Sequence, residues 1–133
     1  MASASFRFIV HGERLAIARL APGAPLPAWA RGSFVSVTRT PAELSIVCAQ
    51  RNVPPDVVQE RERIALGIEG TVSMTAVGIM ASLCGALAQA QVSVFVIATY
   101  DTDWILIRAD RLEAARAALE GLGHRVRGES PAS

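Results

Sequence analysis

Apolar and polar positions alternate with two different periods along this chain, and the changes of period mark its elements. Short β-branched runs with period two stand at Phe6–Val10, Arg14–Ala18, Val35–Arg39, Leu44–Cys48, Arg63–Ile68, Val92–Thr99 and Asp103–Ala109. These read as strands. Two stretches carry the helical period instead. Ser73–Ala90 places Ala, Met, Leu and Ile on one face, with Thr71 or Ser73 as N-cap. The second stretch has Leu112, Ala115, Leu119 and Leu122 on one side, a capping box Asp110-x-x-Glu113, and Gly121 and Gly123 to stop it. His124–Arg127 adds a short last strand.

Part of this pattern repeats. Val35–Cys48 aligns with Phe95–Arg108 at an offset of 60, each segment reading as strand, polar turn, strand. Arg14–Ala18 resembles Arg63–Gly67 at an offset of 49. The second copy is complete, in the order β-α-β-β-α-β of a ferredoxin-like split. The first is eroded. Pro25 and Pro27 limit residues 24–31 to at most two helical turns, and Pro54–Val58 offers one short helix. The expected fold class is α+β: two tandem ferredoxin-like halves, antiparallel sheets with helices on one face. Residues 1–61 would form the degenerate half, 62–127 the complete one, and 128–133 a mobile tail. Phe6–Val10 reads as an extra edge strand.

Composition changes this picture little. Half the residues are apolar and 19% charged, which excludes disorder. All 13 basic residues are Arg, the net charge is +1, and basic residues do not cluster, so neither nucleic acid nor a membrane surface is an expected partner. Thr71–Tyr100 has no charge over 30 residues, but Ser73, Thr75, Gln89 and Gln91 interrupt it. A soluble helix followed by a buried strand fits it better than a membrane span. Cys48 and Cys84, without a leader segment, match a reducing cytoplasm and read as small buried hydrophobes.

Enzyme signatures are scarce: no nucleophile elbow, phosphate loop, zinc-protease motif or paired C-x-x-C. His11 reads as a solvated turn residue and His124 as a helix-end residue, so no catalytic residue, cofactor or metal site is expected. The polar insert Thr99-Tyr100-Asp101-Thr102-Asp103 stands out between apolar strands. A plain hairpin turn explains Thr and Asp there. Asp103, however, begins a strand near the start of the first helix of its copy. A helix N-terminus takes carboxylates and Asp103 would take an ammonium, a pair that suits a zwitterion. Trp104, next along the strand, points to the opposite face and reads as packing.

Val92–Leu112 closely resembles the hairpin-plus-helix signature of the ACT domains in the CASTOR arginine sensors and in small stand-alone bacterial ACT proteins. Ser33–Cys48 resembles the first-half signature of those bacterial proteins, and Val77-Gly78-Ile79 the helix start. The resemblance implies a regulatory protein that binds an amino acid between ACT domains, without a cofactor, as a homodimer in the cytoplasm. Carried over, it implies ligand contacts from Ser73, Met74, Thr75, Gly78 and Ile79, and from Thr99, Tyr100, Asp101, Thr102 and Asp103. Ser93 and Val94 would come from the neighbouring subunit. Ala76 stands where the arginine sensor has an acidic residue, which leaves the ligand's side chain open. The competing reading is an interaction module that binds an effector protein and no metabolite.

Overall fold

The computed structural model describes residues 6–69 and 78–128. Along the chain run β1 (Arg7–Val10), β2 (Leu15–Leu20), β3 (Ser36–Arg39), β4 (Leu44–Ala49), β5 (Val58–Ile68), α1 (Ile79–Gln89), β6 (Phe95–Ala98), β7 (Asp103–Arg108), α2 (Leu112–Gly121) and β8 (Arg125–Arg127). They sort into two compact units, Glu13–Arg63 and the remainder, so residues 6–12 group with the C-terminal elements. The boundary expected near residue 61 falls between Arg63 and Ile64, inside β5.

The larger unit has the strand order β6-β7-β5-β1-β8 with both helices on one face. Its core joins Phe8, Ile64, Leu66, Ile105 and Ile107 of the strands to Leu83, Leu87, Ala115 and Leu119 of the helices. β1 is not the edge strand expected. It pairs antiparallel with β5 and parallel with β8, so the sheet is not purely antiparallel. Long-range pairing of that kind leaves no trace in local periodicity.

Both helices end in the same way. The N–H of Val92 donates to the Leu87 carbonyl and that of Gln91 to Ala88, while His124 donates to Leu119 and Gly123 to Glu120. These are Schellman motifs, which need a left-handed residue. Gly123 supplies it at φ 94°, as the sequence indicates, and Gln91 supplies it at φ 62° with a side chain attached. The capping box is absent: Asp110 instead takes a two-point ion pair from Arg108, and no side chain caps α2.

The second motif delivers His124 to the core, where it is 7% exposed. Its Nδ1 accepts a hydrogen bond from the Phe6 N–H at 3.0 Å, and its ring packs on Phe6 and Phe8. It is thus a core residue bonded to β1's approach. The other sheet face carries Trp104, whose ring covers Gly67. A Cβ at Gly67 would meet Trp104 Cζ3 at 2.4 Å, so only glycine fits beneath the indole. His11, expected to be solvated, stands edge-on to that indole at 6.4 Å.

The smaller unit runs β3-β4-β2 and the first half of β5. Its core is Ala16, Ala18, Leu44, Ile46, Cys48 and Val53. Where the larger unit has helices, residues 21–35 form no helix and Trp29 packs on the core. Glu13 fixes this loop by accepting from Ser33 and pairing with Arg51, and Asn52 donates to the Arg31 carbonyl. The short helix expected at Pro54–Val58 is a turn closed by Val57 N–H on Pro54; a 3-10 turn at Gln50–Asn52 precedes it.

Two consequences can be measured. Gly67→Ala should cost about 1–3 kcal/mol in urea unfolding, because the added methyl overpacks the indole; unchanged stability would show that Trp104 moves freely. Burial holds His124 below its ordinary value near 6.5, so the unfolded chain binds its proton first. Stability from this group is complete above pH 6.5 and lost as pH falls through the folded value. His124→Gln should flatten that part of the stability profile below pH 6.5.

Candidate functional site

The β6–β7 hairpin positions the residues singled out in the sequence. Phe95 lies opposite Leu106, Val96 opposite Ile105, Ile97 opposite Trp104 and Ala98 opposite Asp103. The turn is closed by Thr99. Its N–H and hydroxyl donate to the Thr102 carbonyl at 2.8 Å, and its hydroxyl oxygen accepts the Thr102 N–H at 3.3 Å. The hydroxyl closes the turn by hydrogen bonds to the backbone three residues on, the local bonding for which Ser and Thr are favoured in turns. Neither tip residue, Tyr100 or Asp101, has positive φ.

β3–β4 is closed by the same chemistry. Thr40 N–H donates to the Glu43 carbonyl at 2.9 Å, and the Thr40 hydroxyl accepts the Glu43 N–H at 3.2 Å. Thr40 and Thr99 are 59 apart, as are Glu43 and Thr102, so the two hairpins correspond at 59 and not at 60. The core agrees. Leu44, Ile46 and Cys48 face one core, and Ile105 and Ile107 the other. Ala16 and Ala18 face inward as Ile64 and Leu66 do, so the offset of 49 is likewise shifted by one. A one-residue slip in a strand exchanges its faces, and uniformly apolar strands do not resist it in a sequence alignment. The counterpart of Asp103 is therefore Leu44, fully buried, and not Glu43.

Alternation along β7 puts Asp103 on the helix-bearing face with Ile105 and Ile107, and Trp104 on the other, as expected. Asp103 is half-buried, and among the described residues no side chain pairs with its carboxylate. On the same face stand Ala98, its neighbour across the hairpin, and Val96, which lies opposite Ile105. Thr102 is half-buried with its hydroxyl oxygen unpartnered among the described residues. Tyr100 is 95% exposed and Asp101 exposed. Val94 packs on the core and Ser93 is exposed. Gly78, at φ 89°, leads into α1 at Ile79. Ser73, Met74 and Thr75, the expected N-cap, Ala76 and the tail beyond Gly128 lie outside the described residues.

Other groups offer less. Among the described residues no three His, Cys, Asp or Glu gather to hold a metal ion, and no helix is long and apolar enough to cross a membrane. Cys48 is buried, and that burial raises its thiol pKa. An open depression lined by Arg7, Glu120, Arg125, Val126 and Arg127 shares no residue with the expected site, and Arg127 is held in it by Glu69.

Comparison with known proteins follows these divisions. The family model for the ACT domain matches residues 59–121, which holds α1, the β6–β7 hairpin and α2. A second family model, for an N-terminal domain, matches residues 13–56 within the smaller unit. No curated protein matches the sequence. The crystal structure of protein Atu0741 from Agrobacterium tumefaciens is 33% identical, covers 96% of each chain and superposes with a TM-score of 0.89. VC0802 from Vibrio cholerae, a protein of unknown function described as a possible transport protein, is 20% identical over 89% of this chain and 90% of its own, at 0.70. The regulatory subunit of aspartate kinase from Thermus flavus is 12% identical over 92% and 99%, at 0.64. The last two show shared architecture alone. The chain belongs to the family of the Agrobacterium protein, with an ACT domain over residues 59–121.

Proposed function

We propose that this protein is a non-catalytic cytoplasmic sensor of the CASTOR-like ACT type, built from tandem ACT-like halves and binding an amino acid between two copies. The observation that carries the reading is the Asp103 carboxylate, half-buried and unpaired among the described residues, fixed at the first position of β7 on the helix-bearing face. A carboxylate so placed is desolvated in part and has its lone pairs open, which favours an ammonium partner. The likeness in fold to the regulatory subunit of an aspartate kinase supports a regulatory role. The matching threonine-closed hairpins support tandem halves.

In this reading Ser73, Met74, Thr75, Gly78 and Ile79 hold the ligand's carboxylate, and Thr99–Asp103 hold its ammonium. Ser93 and Val94 of the second copy complete the site. The smaller unit has Leu44 in place of Asp103 and a proline-rich loop in place of the helix, so only the larger unit binds.

A thermal-shift screen against the twenty amino acids, with calorimetry on hits, tests this. A ligand at 100 times its Kd adds about 2.7 kcal/mol of stability. Asp103→Asn should keep the fold and weaken that ligand about 10- to 100-fold, the loss of one charge-assisted hydrogen bond. Equal affinity in parent and variant would remove Asp103 from the site, and a flat screen at millimolar ligand would favour an effector-binding module.

A further inference from the structure

β1 and β8 come from opposite ends of the chain, and their parallel pairing sets Arg7 directly opposite Arg125. Phe8 and Val126, the next residue on each strand, are buried in the core with the helices. Alternation therefore turns Arg7, Arg125 and Arg127 together onto the other face. The sequence shows no basic cluster; the sheet makes one. Like charges directly opposite on neighbouring strands, about 5 Å apart at the backbone, destabilise a sheet. Glu69 stands in the same row, since its N–H donates to the Arg7 carbonyl. Its two oxygens, however, take Arg127 at 3.1 Å each. Among the described residues neither Arg7 nor Arg125 has an ion pair.

These two guanidiniums line a depression of about 600 Å³ at the end of the sheet, together with Glu120, Val126 and Arg127. The Val126 side chain is 6% exposed, so that residue lines the depression with its backbone. Arg125 N–H bonds inward to the Phe6 carbonyl at 2.9 Å, and alternation turns the Val126 N–H and carbonyl away from β1. The carbonyl accepts the Arg116 guanidinium at 2.6 Å, which leaves the N–H as the donor. A sheet edge with such a donor beside positive charge is a concavity suited to an anion. Glu120 is the one acceptor side chain among the lining residues. None of them is aromatic, so a base has no platform to stack on.

We infer that this depression binds a small phosphate monoester carrying hydroxyl groups, its phosphate bridging Arg7 and Arg125 and a hydroxyl donating to Glu120. A guanidinium fork matches two phosphate oxygens at once. Two forks on adjacent strands and the Val126 N–H reach all three terminal oxygens. A carboxylate neutralises one fork and leaves the other repelled, whereas a phosphate dianion neutralises both. The volume is that of a small-metabolite site, larger than inorganic phosphate alone requires. Arg127, already held by Glu69, flanks the phosphate and adds little charge. The site shares no residue with the amino-acid site proposed above and does not depend on it.

Nuclear magnetic resonance titration of the full chain at constant ionic strength tests this, first with inorganic phosphate and then with α-glycerophosphate. The Val126 amide and the Nε–H groups of Arg7 and Arg125 should shift together and saturate. Arg7→Gln and Arg125→Gln should each weaken inorganic phosphate about 10-fold, the loss of one charge-assisted contact. Arg108→Gln, which removes a surface guanidinium paired with Asp110, should leave it unchanged. Glu120→Gln should tighten inorganic phosphate, by removing a like charge, and abolish the preference for α-glycerophosphate over it. In phosphate-free buffer at low ionic strength Arg7→Gln should be at least as stable as the parent, because the repulsion is gone. No saturable shift at those three groups, equal affinity in the parent and either arginine variant, or equal weakening by Arg108→Gln would each overturn the site. Inorganic phosphate bound as tightly as α-glycerophosphate by the parent would overturn the assignment of an ester.

Discussion

The register of β7 is the constraint on which the site depends. A strand offers two faces and no intermediate, so the position of the turn decides whether Asp103 or Trp104 lies beneath the helices. Two contacts fix it. Thr99 closes the turn through its hydroxyl at one end of the hairpin, and Trp104 lies on Gly67 where no other residue fits. Each alone would tolerate adjustment. Together they hold a carboxylate on a face otherwise built from Ile105, Ile107 and the apolar sides of two helices.

Much of this was legible in the sequence, and each error has its own physical origin. The polar insert between apolar strands marked the hairpin correctly, and Trp104 was placed on the right face by alternation from Asp103. Apolar matching places the two hairpins one residue too far apart, because Val, Ile and Leu fill both faces and give an alignment no purchase. The signal that resolves it is the threonine pair: Thr40 and Thr99 close their turns alike. The place of β1 between β5 and β8 was not legible, since its partners come from more than fifty residues away. Asp110 has the spacing of a cap, but Arg108 is closer and charged.

The two units show how one hairpin design serves two ends. In the larger, helices cover the sheet and leave a carboxylate at their margin. In the smaller, prolines preclude the helix, Trp29 packs on the core, and Glu13 with Arg51 fastens the loop. Leu44, at the Asp103 position, is part of that core and fully buried. The same turn therefore precedes a buried leucine in one unit and a half-buried carboxylate in the other. The difference rests on which residue follows the threonine-closed turn.

In the proposed sensor the Asp103 carboxylate is the group that meets an amino acid's ammonium. Carbon-13 spectra of the aspartate side chains, recorded as a stabilising amino acid is titrated in, address it without altering the protein. The Asp103 carboxyl resonance should move in proportion to the bound fraction while that of Asp56, in the smaller unit, stays in place. Saturable binding with an unmoved Asp103 resonance would contradict it.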